Sequence, residues 1–139
     1  MGNRAVITTR NTEFENGIDP NAIGVYLHWN GGVDCVTAFL RYCKKEGFRS
    51  PEKDNYGWAR LCQVIGNFFG PEGLSVGVDI CSRLDCNNGY NGVYFIEGWE
   101  IVGKAFESEE EVNERVVDSM LEEIDASQTK NMSCLVKTL

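Results

Sequence analysis

The chain's only histidine, His28, stands in Ile23-Gly24-Val25-Tyr26-Leu27-His28-Trp29-Asn30-Gly31-Gly32, where an alternating strand runs into a glycine pair that opens a helix. Side chains alternate along a strand, so Val25, Leu27 and Trp29 are expected on a core face and Tyr26, His28 and Asn30 on the other. Gly31 and Gly32 let the backbone turn, and the first amides of the next helix then point outward, a usual place to hold an anion. Small-anion recognition is the chemistry this corner suggests. Catalysis finds less support. One histidine cannot build a two- or three-histidine metal site, and no spacing puts a cysteine beside His28 to make a nucleophile. A strand histidine hydrogen-bonded at a helix start, or at a subunit contact, is the plainer account.

Other candidates divide in the same way. Gly98-Trp99-Glu100-Ile101-Val102-Gly103-Lys104-Ala105 fits a phosphate loop up to its lysine, but Ala105 replaces the magnesium-holding hydroxyl and the interior reads as a strand. Tyr26, Trp29, Trp58, Phe68, Phe69, Tyr90, Tyr94 and Trp99 offer flat surface on which a base could stack, although Trp58, Leu61 and Phe68 fit ordinary core. Arg115 has Glu111 one turn before it, so either a surface ion pair or a grip on phosphate accounts for it. Arg60, Gln63 and Asn67 share a polar helix face that meets solvent or ligand. Asn91 is a turn residue whose amide could also read ribose or a base edge. Neither a metal nor a cofactor is called for.

Charge narrows the partners. The net charge of −8 is concentrated in 107–125, which holds nine acids and one base. A nucleic-acid polymer wants a basic stripe, and none is offered. A small anionic ligand needs only two or three arginines in a pocket, whatever the charge outside. The 139 residues, 42% hydrophobic, suit one globular domain. No run approaches the roughly 18 apolar residues of a membrane span, and the start lacks signal-peptide order, so a cytoplasmic protein is expected. Its six cysteines (35, 43, 62, 81, 86 and 134) contain no Cys-x-x-Cys pair and read as reduced and mostly packed.

The elements that must position these groups follow from period and punctuation. Arg4 to Thr9 is β-branched and short, a strand, followed by a polar loop to Ala22. Val33, Val36, Phe39, Leu40 and Cys43 set a first helix, with Lys44 and Lys45 in its last turn and Gly47 as its stop. A second helix is expected to begin at Ser50-Pro51-Glu52 and to close at Gly70. Leu74, Val76, Val78 and Ile80 alternate as a half-buried strand, with a long hairpin through Asn87 to Gly92 leading to strands at Val93 to Ile96 and Trp99 to Val102. Ser108 and Glu111 form a capping box, so a last amphipathic helix is expected from Glu109. The fold class is α+β: a small antiparallel sheet of about five strands packed with two central helices and a C-terminal amphipathic helix. Residues 1–127 make one ligand-binding domain, and 128–139 a tail that is mobile or used in assembly.

Four segments together resemble a known group: Asn3-Arg4-Ala5-Val6-Ile7; Gly24 to Gly32; Tyr56-Gly57-Trp58-Ala59-Arg60-Leu61-Cys62-Gln63-Val64-Ile65-Gly66-Asn67-Phe68-Phe69-Gly70; and Trp99-Glu100-Ile101-Val102-Gly103. They resemble small phage proteins of low-GC bacteria, and within these the first Thoeris anti-defence family, over about Asn3 to Asp125. That family sequesters immune signalling nucleotides without cleaving them. The resemblance implies a non-enzymatic sponge in the host cytoplasm, a dimer or a trimer of dimers, binding a glyco-cyclic ADP-ribose, with cyclic oligonucleotides at a separate site in some members. Such a ligand presents a diphosphate, two riboses and an adenine. By chemistry, Trp29, Asn30, Gly31, Gly32, Arg60, Phe68, Asn91 and Arg115 supply the groups it asks for. Arg4, Thr8 and Thr9 are the second-ligand candidates, with a purely structural edge strand as the alternative. Two other classes stand beside the sponge: an inhibitor that masks a host defence enzyme through its acidic helix, and a small hydrolase of the signal.

Overall fold

The computed structural model describes residues 3–71 and 75–128. Strands β1 (Ala5–Thr8) and β2 (Ile23–Leu27) precede helices α1 (Val33–Lys45) and α2 (Tyr56–Phe69). Strands β3 (Val76–Ile80), β4 (Val93–Glu97) and β5 (Glu100–Ala105) follow, then helix α3 (Glu114–Ser127). The five strands form one sheet in the order β3-β2-β1-β4-β5. The α+β class and the strand number match the sequence reading, but the sheet is mixed rather than antiparallel. β1 pairs antiparallel with β2 and parallel with β4, Val6 facing Val93 and Thr8 facing Phe95. The physical reason lies in β1: all four of its residues are buried, which is how a central strand covered on both faces reads, without alternation.

The core divides across the sheet. Ala5, Ile7, Val25, Leu27, Tyr94 and Ile96 meet the apolar stripes of the helices, among them Phe39, Leu40, Leu61, Ile65, Val117 and Ile124. Burying each large side chain of this kind contributes roughly 1.5–3 kcal/mol relative to exposure. On the other face Val6, Val93, Phe95 and Ala105 form a smaller cluster.

Several boundaries differ from those expected. β3 and β4 do not form a hairpin; the chain crosses behind β1, and the hairpin is β4–β5, with Glu97 opposite Glu100. Its two turn residues, Gly98 and Trp99, both have positive φ, 60° and 65°, the primed turn that matches strand twist. β3 begins at Val76; Leu74 lies outside the described residues, and Cys81 opens a short 3-10 turn, Cys81–Arg83. Val78, expected to be buried, is 51% exposed because β3 is an edge strand.

α2 starts at Tyr56 and not at Ser50, because Ser50 is spent on a local turn. Its hydroxyl donates to Glu52 at 2.6 Å, and its carbonyl accepts from the amides of Lys53 and Asp54. α3 likewise starts at Glu114 and not at Glu109. Asn113 caps it, its side-chain oxygen accepting from the amides of Arg115 and Val116, while Asp34 accepts from Asn113's own amide at 2.7 Å. A tertiary contact from α1 thus overrides the local capping box at Ser108. Of the expected tail, 129–139 lie outside the described residues. Gln128, assigned to that tail, is tied to α2, accepting from Asn67 at 2.9 Å and donating to the Val64 carbonyl at 3.1 Å. No helix among the described residues is long and apolar enough to cross a membrane.

Candidate functional site

α1 is amphipathic in two directions. One stripe enters the core; Val33, Thr37, Leu40, Arg41 and Lys44, spaced by three and four, line a second face. Across from it lie β5, with Glu100, Ile101, Val102 and Lys104, and the extended run that precedes α3, with Glu109, Glu110 and Val112. Tyr94 and Trp99 complete a groove of about 590 Å3, a volume typical of small-molecule sites.

Three basic side chains line this groove. Arg41 grips Glu114 at 2.7 and 3.4 Å, and Lys44 meets Glu100 at 3.4 Å. Lys104 joins none of the ion pairs among the described residues; its ammonium lies 4.5 Å from the centre of the Tyr94 ring. Burial lowers the Lys104 pKa, and Glu110, Glu107 and Glu109 oppose that shift. The same ring is anchored at its far end, where the Tyr94 hydroxyl donates to the Gly31 carbonyl at 2.8 Å. Burial raises the Tyr94 pKa, assisted by Glu110, Cys35 and Asp34, so the hydroxyl remains a donor at neutral pH. The Trp99 indole donates to the Phe48 carbonyl at 2.7 Å, which fixes the end of the groove. Thr37 Oγ1 is buried without a hydrogen-bond partner among the described residues. The groove therefore offers cations for phosphate and carboxylates for hydroxyls, on walls fixed by two buried aromatics.

The Trp29–Gly32 corner is built differently from its expected form. The positive φ falls on Asn30, at 59°, not on the glycines. Gly31 is required for close approach: a Cβ there would collide with the Asn3 carbonyl and with Ala5. Gly32 caps α1 without a side-chain bond, its carbonyl accepting from Val36. Trp29, expected on the core face, is 46% exposed because the strand ends at Leu27. Its ring meets His28 edge-on at 5.2 Å. His28 Nδ1 lies 3.0 Å from the Tyr26 hydroxyl, and Asn30 donates to Cys35 at 3.5 Å.

The structure joins some of the sequence-chosen residues. Asn91 donates to the Asn3 side chain at 2.6 Å and to the Arg4 carbonyl at 3.0 Å, while Asn3 accepts from Gly31. Asn91, Arg4 and Gly31 thus share one clamp, and the Asn91 amide is nearly buried in it. Arg4 lies 5.6 Å from the Tyr90 ring centre and 3.5 Å from Asp85, its Nε buried without a partner. Thr8 is buried and donates to the Ile23 carbonyl at 2.7 Å; Thr9, just after β1, is half-buried. Phe68 packs edge-on against Phe39 at 5.4 Å, within the core. Arg60 is exposed and donates to Gln63 at 3.2 Å, and Arg115 is exposed on α3 outside every ion pair among the described residues. No hydrogen bond, ion pair or ring contact among the described residues joins Arg60, Phe68 or Arg115 to the corner.

Sequence reasoning missed Arg41, Lys44 and Lys104. Lys44 was explained by the helix dipole and Lys104 by a failed phosphate loop, and Arg41 shares a face with Val33, Thr37 and Lys44 that the core stripe masked. Among the described residues no cluster of three or more His, Cys, Asp or Glu could hold a metal ion. No protein-family model, no curated protein and no solved structure matches the chain.

Proposed function

We propose that the protein is a phage anti-defence sponge that binds a cyclic ADP-ribose-type immune signal in the α1–β5 groove and sequesters it without cleaving it. The observation that carries this reading is the groove itself, in which Lys104 lies on the Tyr94 ring outside every ion pair among the described residues, with Arg41 and Lys44 on the opposite wall. An ammonium outside a salt bridge keeps its charge for a ligand phosphate, and the Arg41 guanidinium on the opposite wall, oriented by Glu114, adds a second positive group. Glu100, Glu109 and Glu110 on the same walls suit the ribose hydroxyls, which donate to carboxylates as in dinucleotide folds. The Gly31 carbonyl bonded to Tyr94 couples this groove to the Trp29–Gly32 corner, whose exposed tryptophan offers a face for a base. In this reading the protein acts in the host cytoplasm as a homo-oligomer, a dimer or a trimer of dimers. Cyclic oligonucleotides bind separately beside Arg4 and Thr9, whereas Thr8, buried and bonded to the Ile23 carbonyl, supports the strand.

Calorimetric titration of the purified full chain with glyco-cyclic ADP-ribose, followed by heat release and chromatography of the ligand, tests this. Saturable binding with recovery of intact ligand is the expected result. Altered ligand would replace the sponge with a hydrolase, and absence of binding would favour an inhibitor acting through the acidic α3.

A further inference from the structure

The loop that leaves β3 carries two cysteines that the groove does not use. Cys81 is 3% exposed, at the start of the 3-10 turn, and Cys86 follows at the next bend, half-buried. The turn is pinned on both sides: the Cys81 amide donates to the Ala22 carbonyl at 2.9 Å, and the Ser82 amide to the Pro20 carbonyl at 2.9 Å. The Leu84 amide donates back to the Cys81 carbonyl, and the Cys86 amide to the Leu84 carbonyl, so the chain folds until Cys86 Sγ lies 3.6 Å from the Cys81 carbonyl. Cys81 Sγ in turn lies 3.4 Å from the Thr8 hydroxyl. Space for it comes from Gly24 on β2, where a Cβ would press on Cys81 Sγ and Leu84. The Cys86 thiol, donating to the Cys81 carbonyl, is folded against Cys81. Its proximity lowers the Cys81 pKa against the opposing effect of burial, and Cys81 in turn raises that of Cys86.

Buried structural cysteines are inert when their thiols are pushed up, as Cys43 is, to about 12 by burial. Cys81 is the opposite case, a thiol shifted toward its thiolate form, with the turn folding Cys86 Sγ back to within 3.6 Å of its carbonyl. We propose that Cys81 and Cys86 are an oxidation site at which hydrogen peroxide closes an intrachain disulfide across the turn after β3. The Cys81 thiolate attacks one peroxide oxygen, the O–O bond breaks, and a sulfenic acid forms as the other oxygen leaves, taking a proton to become water. The Cys86 sulfur then attacks Cys81, the S–O bond breaks, and the hydroxide leaves with the Cys86 proton as a second water. Two thiols are oxidised and one peroxide is reduced. The ring so closed contains Asp85, the ion-pair partner of Arg4, and it withdraws the thiol that meets Thr8.

The test treats the reduced full chain with hydrogen peroxide, blocks remaining thiols by alkylation and maps tryptic peptides without reduction. Cleavage at Arg83 falls between the two cysteines, so the disulfide leaves two peptides linked, together lighter by two hydrogens. Cys62 shares the first peptide, and a Cys62→Ser chain assigns the bond. The linked pair is expected in the wild type and in Cys62→Ser and is lost in Cys86→Ser, where dimedone instead traps a sulfenic acid on Cys81. Loss of the linked pair in Cys62→Ser, or no dimedone adduct on Cys81 in Cys86→Ser, would overturn the proposal. So would loss of Cys35 or Cys43 thiols as fast as those of Cys81 and Cys86. The half-buried Cys86 carries the decisive substitution, so the test does not depend on whether a Cys81 variant folds.

Discussion

Lys104 shows how a single side chain can be positioned by a ring, outside every ion pair among the described residues. Its ammonium gains roughly 0.5–2 kcal/mol from the Tyr94 face, depending on how far it is desolvated. Lys104→Ala is expected to weaken binding of glyco-cyclic ADP-ribose about tenfold or more, which corresponds to one lost charge-assisted contact. Arg60→Ala, on an exposed face bonded to Gln63, is expected to leave it within about twofold, because a surface group outside the groove contributes little. Equal losses in both variants by calorimetry would move the site to α2. Gly31→Ala is a stability test: the added methyl meets the Asn3 carbonyl, and a loss of about 2 kcal/mol in urea unfolding is expected from such overpacking. The sequence made the importance of Gly31 legible but not its cause, since backbone proximity to Asn3 is a tertiary fact. It misplaced Asn91, whose amide looked available at a turn and is spent within the clamp. Lys104 was noticed only as the lysine of a failed phosphate loop, because a lysine between strand residues carries no local signal of what lies beneath it.

At the scale of elements, apolar period and the glycine stops at Gly47 and Gly70 were dependable guides, and the signals for helix starts were not. The stripes of α1, α2 and α3 were legible because burial follows the period, whereas the start of α2 was settled by a local turn at Ser50 and that of α3 by Asn113, held by Asp34 from across the fold. Asn113→Ala is therefore expected to cost about 1 kcal/mol of stability, while Ser108→Ala, at the supposed cap, costs nothing measurable by thermal unfolding. Glu52 joins two elements in the same manner. It accepts from the Ser50 hydroxyl and, at 3.1 Å, from the Gly98 amide in the β4–β5 turn. Burial acts to raise its pKa, but these bonds together outweigh it and hold the carboxyl below its usual range. A depressed carboxylate stabilises above its unfolded pKa, about 4.3, and the contribution is lost as pH falls through the folded value. Glu52→Gln should thus be less stable than the wild type at neutral pH by about 0.5–1 kcal/mol after solvent screening, with the gap closing in acid. A gap that persists unchanged at the acid end of a pH series of urea melts would refute the assignment.

For the whole molecule, the distribution of charge leaves the groove walls balanced while α3 presents its acids outward, so a small anion meets local cations rather than the net charge. Ligand at about a hundredfold excess over its dissociation constant is expected to add about 2.7 kcal/mol to stability. Melting should then rise by roughly 5–10 °C for a domain of this size, as a thermal-shift series would read. The class and the strand number were legible from pattern, but the mixed pairing was not, because nothing within β1 or β4 announces which distant strand will lie beside it. That pairing also orders events in time. β1 occupies the middle of the sheet yet precedes the other four strands in the chain, and its parallel neighbour β4 emerges only after both central helices and β3. The edge of β1 that receives β4 must wait unpaired until all of that chain has been made, so closure of the sheet is a long-range and slow step in folding.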